Sequence, residues 1–318
     1  LKKMKLKKPK FWDDKKISFL SIILFPLTIF ITINNLILNF VSKEKSKKIK
    51  TICVGNIYLG GTGKTPLTIK LYNMLNNLNY KVSTVKKFYK NQLDEQIILN
   101  NKTQLIISST RIDALKKAIQ KKDDFIIFDD GLQDKTIDYD LKFVCFNSKK
   151  WIGNGFLIPS GPLREKIKSL KKYNVVFLNG NNKNINEIKQ TIAQINPKIE
   201  IFETFYKPIN IEKIDLSKKF IIFSGIGNPN SFRETLIENH INVVKEIIFP
   251  DHYNYNKDDI EKIKLDAKKI DANIITTEKD FVKLTEEDKK EIEFLEISLD
   301  IKSEIKLIEL IKKSYEKF

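Results

Sequence analysis

Beyond residue 45 the chain alternates short apolar, β-branched runs with longer stretches whose apolar positions recur at helical spacing. The short runs read as strands buried on both faces and the longer stretches as amphipathic helices. Strands are predicted at 51–54, 81–85, 105–108, 125–128 and 141–146, with helices at 65–78 and 112–121 among them. Such alternation gives an α/β fold, a parallel sheet with helices on both faces. After an extended stretch at 201–208 a second series begins, with strands at 220–224, 243–249, 273–276 and 293–297, helices at 231–238 and 258–270, and a closing helix from about residue 303. This predicts a second, smaller α/β domain, with the boundary near residue 205. Residues 179–189, rich in asparagine and lysine, read as a solvated loop running into a helix.

The start of the chain breaks this pattern. Residues 17–42, ISFLSIILFPLTIFITINNLILNFVS, carry no charge. Roughly 20 apolar residues suffice to cross a bilayer, yet Pro26, Asn34 and Asn35 interrupt this run and lysines crowd both of its ends. A spanning helix would leave one lysine cluster outside, against the positive-inside tendency. The expectation is a membrane-associated helix on the cytoplasmic leaflet, giving a membrane segment at 1–45 and domains at 46–205 and 206–318.

Composition supports this division. With 318 residues, 42% of them hydrophobic, the chain can bury a core in each of two domains, which excludes global disorder. The formal charge of +17 raises the question of nucleic acid. Its distribution answers it: the first 50 residues hold thirteen lysines against Asp13, Asp14 and Glu44. Clustered lysine beside an uncharged segment suits an anionic membrane surface. A nucleic-acid groove would spread its basic residues and use arginines on base edges, whereas only Arg111, Arg164 and Arg233 occur, so no nucleic-acid partner is expected. Cys53 and Cys145 sit in apolar runs and read as core residues rather than a disulfide or metal pair.

Of the eleven glycines all but Gly180 cluster in loops between strands and helices, the placement that close approach to phosphate requires. Between a strand and a helix lies Val54-Gly55-Asn56-Ile57-Tyr58-Leu59-Gly60-Gly61-Thr62-Gly63-Lys64-Thr65-Pro66. Backbone N–H groups from Gly60, Gly61, Thr62 and Gly63, with the helix N-terminus, would cradle ATP phosphates; Lys64 would reach the β and γ phosphates and Thr65 would ligate Mg2+. The strict pattern asks for glycine where Tyr58 stands. The acid such a site needs at the end of a hydrophobic strand is supplied by Asp129 and Asp130 in Phe125-Ile126-Ile127-Phe128-Asp129-Asp130-Gly131. Where lysine is the default base, an arginine points to bidentate anion binding. Arg164 and Glu165, after a Gly-Pro turn, either form a surface ion pair or place the guanidinium on phosphate and the carboxylate in the metal shell. Arg111 either binds substrate phosphate or pairs with a carboxylate, Arg233 is structural, and His240 is a cap or surface residue. The same loop also occurs in membrane-associated P-loop ATPase or GTPase switches. A GTP switch should carry Asn-Lys-x-Asp, and the nearest approach is Thr277-Glu278-Lys279-Asp280.

These motifs together resemble one family, the tetraacyldisaccharide 4′-kinases, also known as lipid A 4′-kinases. The resemblance rests on Val54 to Pro66, Asp129-Asp130-Gly131-Leu132-Gln133, Gly153-Asn154-Gly155 followed by Pro159 to Glu165, Gly225 to Pro229, Phe249-Pro250-Asp251-His252-Tyr253 and Thr277 to Asp280. It implies a P-loop NTPase-like fold and transfer of the ATP γ-phosphate, with Mg2+, to the 4′-hydroxyl of a disaccharide-1-phosphate lipid at the cytoplasmic face of a bacterial inner membrane. It also implies nucleotide contacts from Gln133 and Arg164, metal ligation by Thr65, Asp129, Asp130 and Glu165, and Asp94 as the base, oriented by His252. The family's Gly-Asp-Glu-Pro appears here as Leu93-Asp94-Glu95-Gln96, its Arg-Gly-Tyr as Lys87-Phe88-Tyr89, and its histidine after Asp-Asp-Gly-x-Gln as Asp134.

Overall fold

The computed structural model describes residues 8–14, 16–38, 40–89 and 93–316. In chain order it contains α1 (Phe19–Leu24), α2 (Thr28–Leu38), β1 (Lys50–Gly55), α3 (Lys64–Asn77), β2 (Val82–Lys87), α4 (Leu93–Lys102), β3 (Leu105–Ser108), α5 (Arg111–Gln120), β4 (Phe125–Asp129) and β5 (Leu141–Asn147). There follow β6 (Val175–Asn179), α6 (Ile185–Ile195), β7 (Glu200–Pro208), β8 (Lys219–Ser224), α7 (Pro229–Glu238) and β9 (Asn242–Ile248). The chain closes with α8 (Lys257–Lys269), β10 (Asn273–Thr277), α9 (Glu278–Phe281), β11 (Glu293–Leu295), β12 (Ile297–Ile301) and α10 (Glu304–Glu316).

Two compact units result. The larger comprises Leu6–Phe88, Lys102–Phe205 and Leu299–Phe318; the smaller includes Tyr89–Asn101 and Tyr206–Ser298. The chain thus crosses between units several times, against the single crossing near residue 205 that the alternation of elements predicts. Two pieces account for the difference. The helix carrying Asp94 belongs to the smaller unit, and the predicted strand 293–297 divides into β11, paired with β10, and β12, which joins the larger unit's sheet beside β7.

The larger sheet has eight strands in the order β12-β7-β6-β5-β1-β4-β2-β3. Every neighbouring pair from β7 through β3 is parallel. Alternation along the strands directs Cys53, Phe128, Val144 and Val176 into one core with Ala114 and Leu115 of α5 and Ile188 and Ile192 of α6. On the opposite face Phe125 stacks on Tyr315 of α10, with ring centroids 5.0 Å apart. Helices therefore cover both faces, as predicted. In this sheet Val54, the residue before the glycine-rich loop, is register partner of Asp129. The parallel register brings the loop and the acidic pair to one carboxyl edge, where α/β sheets bind ligands.

The smaller sheet, β11-β10-β8-β9, is parallel throughout. Phe220, Ile222, Phe232 and Leu236 form a core on one side of it, and Ile221, Phe223, Ile260 and Ile263 on the other. Its carboxyl edge presents Gly225 after β8, His252 after β9 and Lys279 after β10.

The apolar N-terminal segment is helical from Phe19 to Leu38, with a tight turn at Phe25–Leu27 that accommodates Pro26. Ser21 and Thr28 are buried against the larger unit while Phe19, Ile22, Phe30 and Ile37 are exposed, so the helix turns polar residues inward and apolar ones outward.

Candidate functional site

The glycine-rich loop is braced from within. Asn56, fully buried, donates from Nδ2 to the Gly60 carbonyl at 3.2 Å and to Thr62 Oγ1 at 3.1 Å. Gly60 and Gly63 take φ of 134° and 89°, a region costly for residues with a Cβ, and Gly63 leads directly into α3. Tyr58, standing where the strict motif has glycine, lies in a segment whose neighbours bond to another loop. The Leu59 N–H donates to the Pro162 carbonyl at 2.8 Å, the Arg164 N–H donates to the Ile57 carbonyl at 2.7 Å, and the Tyr58 hydroxyl meets Asp13. The segment 57–59 thus ties the loop to Pro162–Arg164, and the glycine-dense part begins at Gly60.

At the first turn of α3 the Thr65 hydroxyl donates to Asp129 Oδ2 at 3.1 Å. The same oxygen accepts from Lys86 Nζ at 2.8 Å, in an ion pair whose side chains are 1% and 0% exposed. Asp129 Oδ1 is buried and has no hydrogen-bond partner. An orphaned carboxylate oxygen next to a hydroxyl fits a hard cation, which takes oxygen ligands. Among the described residues no cluster of three or more His, Cys, Asp or Glu side chains could enclose a metal. That donor set matches Mg2+, which takes one or two carboxylates and completes its shell with phosphate and water.

Asp130, at φ 58°, turns its side chain toward Lys64 Nζ (3.8 Å) and Arg164 Nη1 (3.3 Å). Arg164 Nη1 also donates to Gln133 Oε1 at 3.1 Å, while Gln133 Nε2 donates to the Asn56 carbonyl at 2.9 Å. Lys64, Asp130, Gln133 and Arg164 thereby form one polar network around the loop. Glu165, expected in the metal shell, has a buried carboxylate that accepts from Tyr173 at 3.0 Å and from Gln133 at 3.3 Å and faces Lys135 at 3.7 Å. Arg111 resolves to the pairing reading, donating to Asp134 Oδ2 and to the Asp130 carbonyl, both at 2.6 Å. Asp134, where the family has histidine, is thus the partner of a buried arginine. Gly131 permits this packing, since a Cβ there would lie 2.7 Å from Cys53 Sγ and 2.9 Å from the Tyr139 hydroxyl.

The smaller unit carries a second constellation. Asp94, in the first turn of α4 and 2% exposed, receives His252 Nδ1 at 3.1 Å and 3.0 Å from its two oxygens. His252 is fixed by its own N–H donating to the Gly225 carbonyl at 3.0 Å. Burial opposes ionisation of Asp94, but the His252 hydrogen bond and the Lys279 charge outweigh it and hold the carboxyl below its usual range. Lys279 Nζ lies 3.1 Å from Glu95 Oε1, 3.6 Å from Asp251 Oδ1 and 4.0 Å from Asp94 Oδ2. Burial would lower the lysine's pKa, yet these carboxylates raise it above its ordinary value. Residues 90–92, between Tyr89 and Asp94, lie outside the described residues.

Comparison with known proteins bears on what these sites serve. The family model of tetraacyldisaccharide-1-P 4′-kinase (LpxK) matches residues 20–316. A tetraacyldisaccharide 4′-kinase of Pelagibacter ubique is 50% identical over 99% of this chain and 100% of its own length. One from Rickettsia bellii is 35% identical over 88% of this chain and 90% of its own. The chain belongs to the tetraacyldisaccharide-1-P 4′-kinase family. It is a kinase that acts on a hydroxyl group. Its fold is that of the "apo" form LpxK from Aquifex aeolicus crystallised in complex with ATP, with a TM-score of 0.69 at 22% identity, covering 93% of this chain and 100% of that one.

As a member of this family the chain carries features that its sequence did not reveal. Lys86 is hidden by the abundance of lysine; the signal available is its parallel register partnership with Asp129. Lys279 lies in Thr277 to Asp280, a motif that carries the family resemblance without assigning the lysine a role. Arg233 pairs with Glu246 at 3.7 Å, and His240, at φ 61°, follows the end of α7, in keeping with the structural roles expected of them.

Proposed function

We propose that the chain transfers the γ-phosphoryl group of ATP to the 4′-hydroxyl of tetraacyldisaccharide 1-phosphate, a lipid A precursor, at the cytoplasmic face of a bacterial inner membrane. The observation that carries this reading is the buried Asp94–His252 pair. A glycine-rich loop with its acids serves a kinase and a nucleotide switch alike, whereas a carboxylate held ionised by an imidazole is what a hydroxyl acceptor needs. The relatives share the name of that reaction.

In this reading the N–H groups of Gly60 to Thr65 and the Lys64 ammonium bind the nucleotide phosphates, and Arg164, positioned by Gln133, adds a planar cation. Thr65 and the free oxygen of Asp129 would hold Mg2+, with the Asp130 charge beside them, and the ion would neutralise charge on the β and γ oxygens. Asp94 accepts the proton of the 4′-hydroxyl, and His252 Nδ1–H holds the carboxylate in place. A carboxyl held below its usual range is ionised at neutral pH and so ready to accept; phosphoryl transfer asks more of positioning than of base strength.

Membrane attachment is read from the exposed apolar side of α1 and α2 together with the flanking lysines. Flotation with anionic vesicles should capture the protein, and Phe30→Glu with Ile37→Glu should abolish capture; unchanged flotation would refute the anchor. For the reaction, purified protein is incubated with ATP, Mg2+ and tetraacyldisaccharide 1-phosphate, and a bisphosphorylated lipid is expected. Absence of that product sinks the proposal. Asp94→Asn should retain ATP binding and lose about 10²- to 10⁴-fold in turnover, and near-normal turnover would remove Asp94 from the base role.

A further inference from the structure

We propose that Lys279 is a positioning residue that fixes which nitrogen of His252 carries the proton, and so keeps Asp94, rather than His252, as the proton acceptor. The inference rests on the reading of Asp94 as base given above. The geometry is as follows. His252 Nδ1 faces both Asp94 oxygens, and Nε2 lies 3.4 Å from Lys279 Nζ. An ammonium has only hydrogens to offer. Nε2 must therefore present its lone pair, the ring proton sits on Nδ1, and that proton is donated to Asp94. Forming the imidazolium would place an Nε2–H against the ammonium.

Lys279 is itself held firmly. It lies in the first turn of α9, next to Asp280, which is completely buried. Asp280 accepts from the Gly225 N–H (2.9 Å), the Tyr255 hydroxyl (2.9 Å), the Thr277 hydroxyl (2.7 Å) and Lys283 Nζ (2.6 Å). Gly225 allows the close fit, since a Cβ there would be 3.0 Å from the Tyr255 hydroxyl and 3.1 Å from the Pro250 carbonyl. Among the described residues the charges around the imidazole include Asp94 and Glu95 on α4, Asp251 on its own loop, with Nε2 3.9 Å from both Glu95 Oε1 and Asp251 Oδ1, and Lys279 on α9. Lys283 lies 4.0 Å from Asp94 Oδ2 but is already shared with Asp280. With Lys279 removed, three carboxylates would stabilise the imidazolium, which would bind Asp94 more tightly and weaken it as a base.

The test uses imidazole nitrogen NMR on the full-length protein labelled with 15N-histidine. Only two histidines are present, so His240→Gln assigns the His252 signals. In the wild type the neutral ring should have a protonated Nδ1 and a pyridine-like Nε2. In Lys279→Met the pyridine-like Nε2 signal should give way to a protonated one, and kcat/KM should fall with it. Lys279→Arg should bring both back toward wild type. A neutral wild-type ring protonated on Nε2, or an unchanged Nε2 signal in Lys279→Met, would overturn the proposal. Should Lys279→Met fail to fold, the wild-type tautomer still decides, and Lys279→Met with Glu95→Gln removes the opposed charges together. Full activity of Asp94→Asn would instead sink the base reading and leave the tautomer result standing.

Discussion

Replacing Lys86 by methionine tests how the buried Asp129 carboxylate is held. The Lys86–Asp129 contact is 2.8 Å long and both side chains are buried almost completely. Exposed ion pairs contribute about 0–1 kcal/mol, but removing one partner of a buried pair leaves an uncompensated charge and costs about 3–5 kcal/mol. Methionine matches the length of the lysine stem, so packing changes little and the loss reports the stranded Asp129. Thr65 donates to the same oxygen but is neutral and cannot replace the ammonium. Urea unfolding followed by tryptophan fluorescence is the suitable assay, because Trp12 and Trp151 are the chain's two tryptophans and both lie in the larger unit with Lys86. Lys142→Met, which breaks a partly exposed pair with Asp138 at 2.9 Å in the same unit, is the control and should cost no more than about 1 kcal/mol. Adding Asp129→Asn to Lys86→Met removes both charges and should recover much of the loss. A loss below about 1 kcal/mol for Lys86→Met, or a double variant no more stable than the single one, would refute the argument.

Three shorter predictions accompany it. Asp134 is held below its usual carboxylate range because hydrogen bonds from Thr136 and the Arg111 charge outweigh its burial. Its stabilising effect is complete above the unfolded value of about 3.9 and is lost as pH falls through the lower folded value. The urea midpoint should therefore fall at acid pH, and less steeply in Asp134→Asn; equal slopes would count against the pair. Burial pushes the Cys53 thiol up to about 12 and raises Cys145 as well, so iodoacetamide at pH 8 should label neither in the native protein and both in urea, as mass spectrometry would read. Asn35 Nδ2 donates to the Arg164 carbonyl at 3.0 Å, so Asn35→Leu should weaken ATP binding several-fold, about 1 kcal/mol; an unchanged affinity by calorimetry would separate the helix from the phosphate site.

Most of the larger unit's central strands and the glycine-rich loop were legible because each follows from a local pattern: a buried apolar run, then glycines, then a helix. The elements that were missed lack such a pattern. In α4 the buried positions are Asp94, Gln96, Ile98 and Leu99 while Leu93 and Ile97 are exposed, so polar and apolar residues share one face and no amphipathic period appears. A buried acid needs a partner, and His252 supplies it. β6 is a five-residue apolar run, which periodicity alone cannot assign. The return of β12 and α10 to the larger unit depends on pairing with β7, a long-range choice that no local signal encodes. Side-chain partners were the least legible: Arg111 and Arg164 are both arginines in a lysine-rich chain, yet one closes a buried pair with Asp134 and the other faces the loop.

The N-terminal segment shows how a local reading can invert the meaning of a residue. Taken one at a time, Pro26, Asn34 and Asn35 weaken the case for a membrane helix. In the folded chain Ser21, Thr28 and Asn35 stand seven residues apart, which places them along one side of the helix. That side faces the larger unit: Ser160 Oγ donates to the Ser21 carbonyl at 2.6 Å, Asn154 Nδ2 to Ser21 Oγ at 3.0 Å, and Asn35 to Arg164. The polar residues dock the helix on the 153–164 segment that also pairs with the glycine-rich loop, and docking them inward leaves Phe19, Ile22, Phe30 and Ile37 on the outside. An ordinary surface helix buries its apolar stripe and exposes its polar one. This helix does the reverse on the side that carries Ser21, Thr28 and Asn35, so Asn35, read from the sequence as an interruption, serves to dock the helix, while Pro26 and Asn34 stay exposed beside the apolar residues.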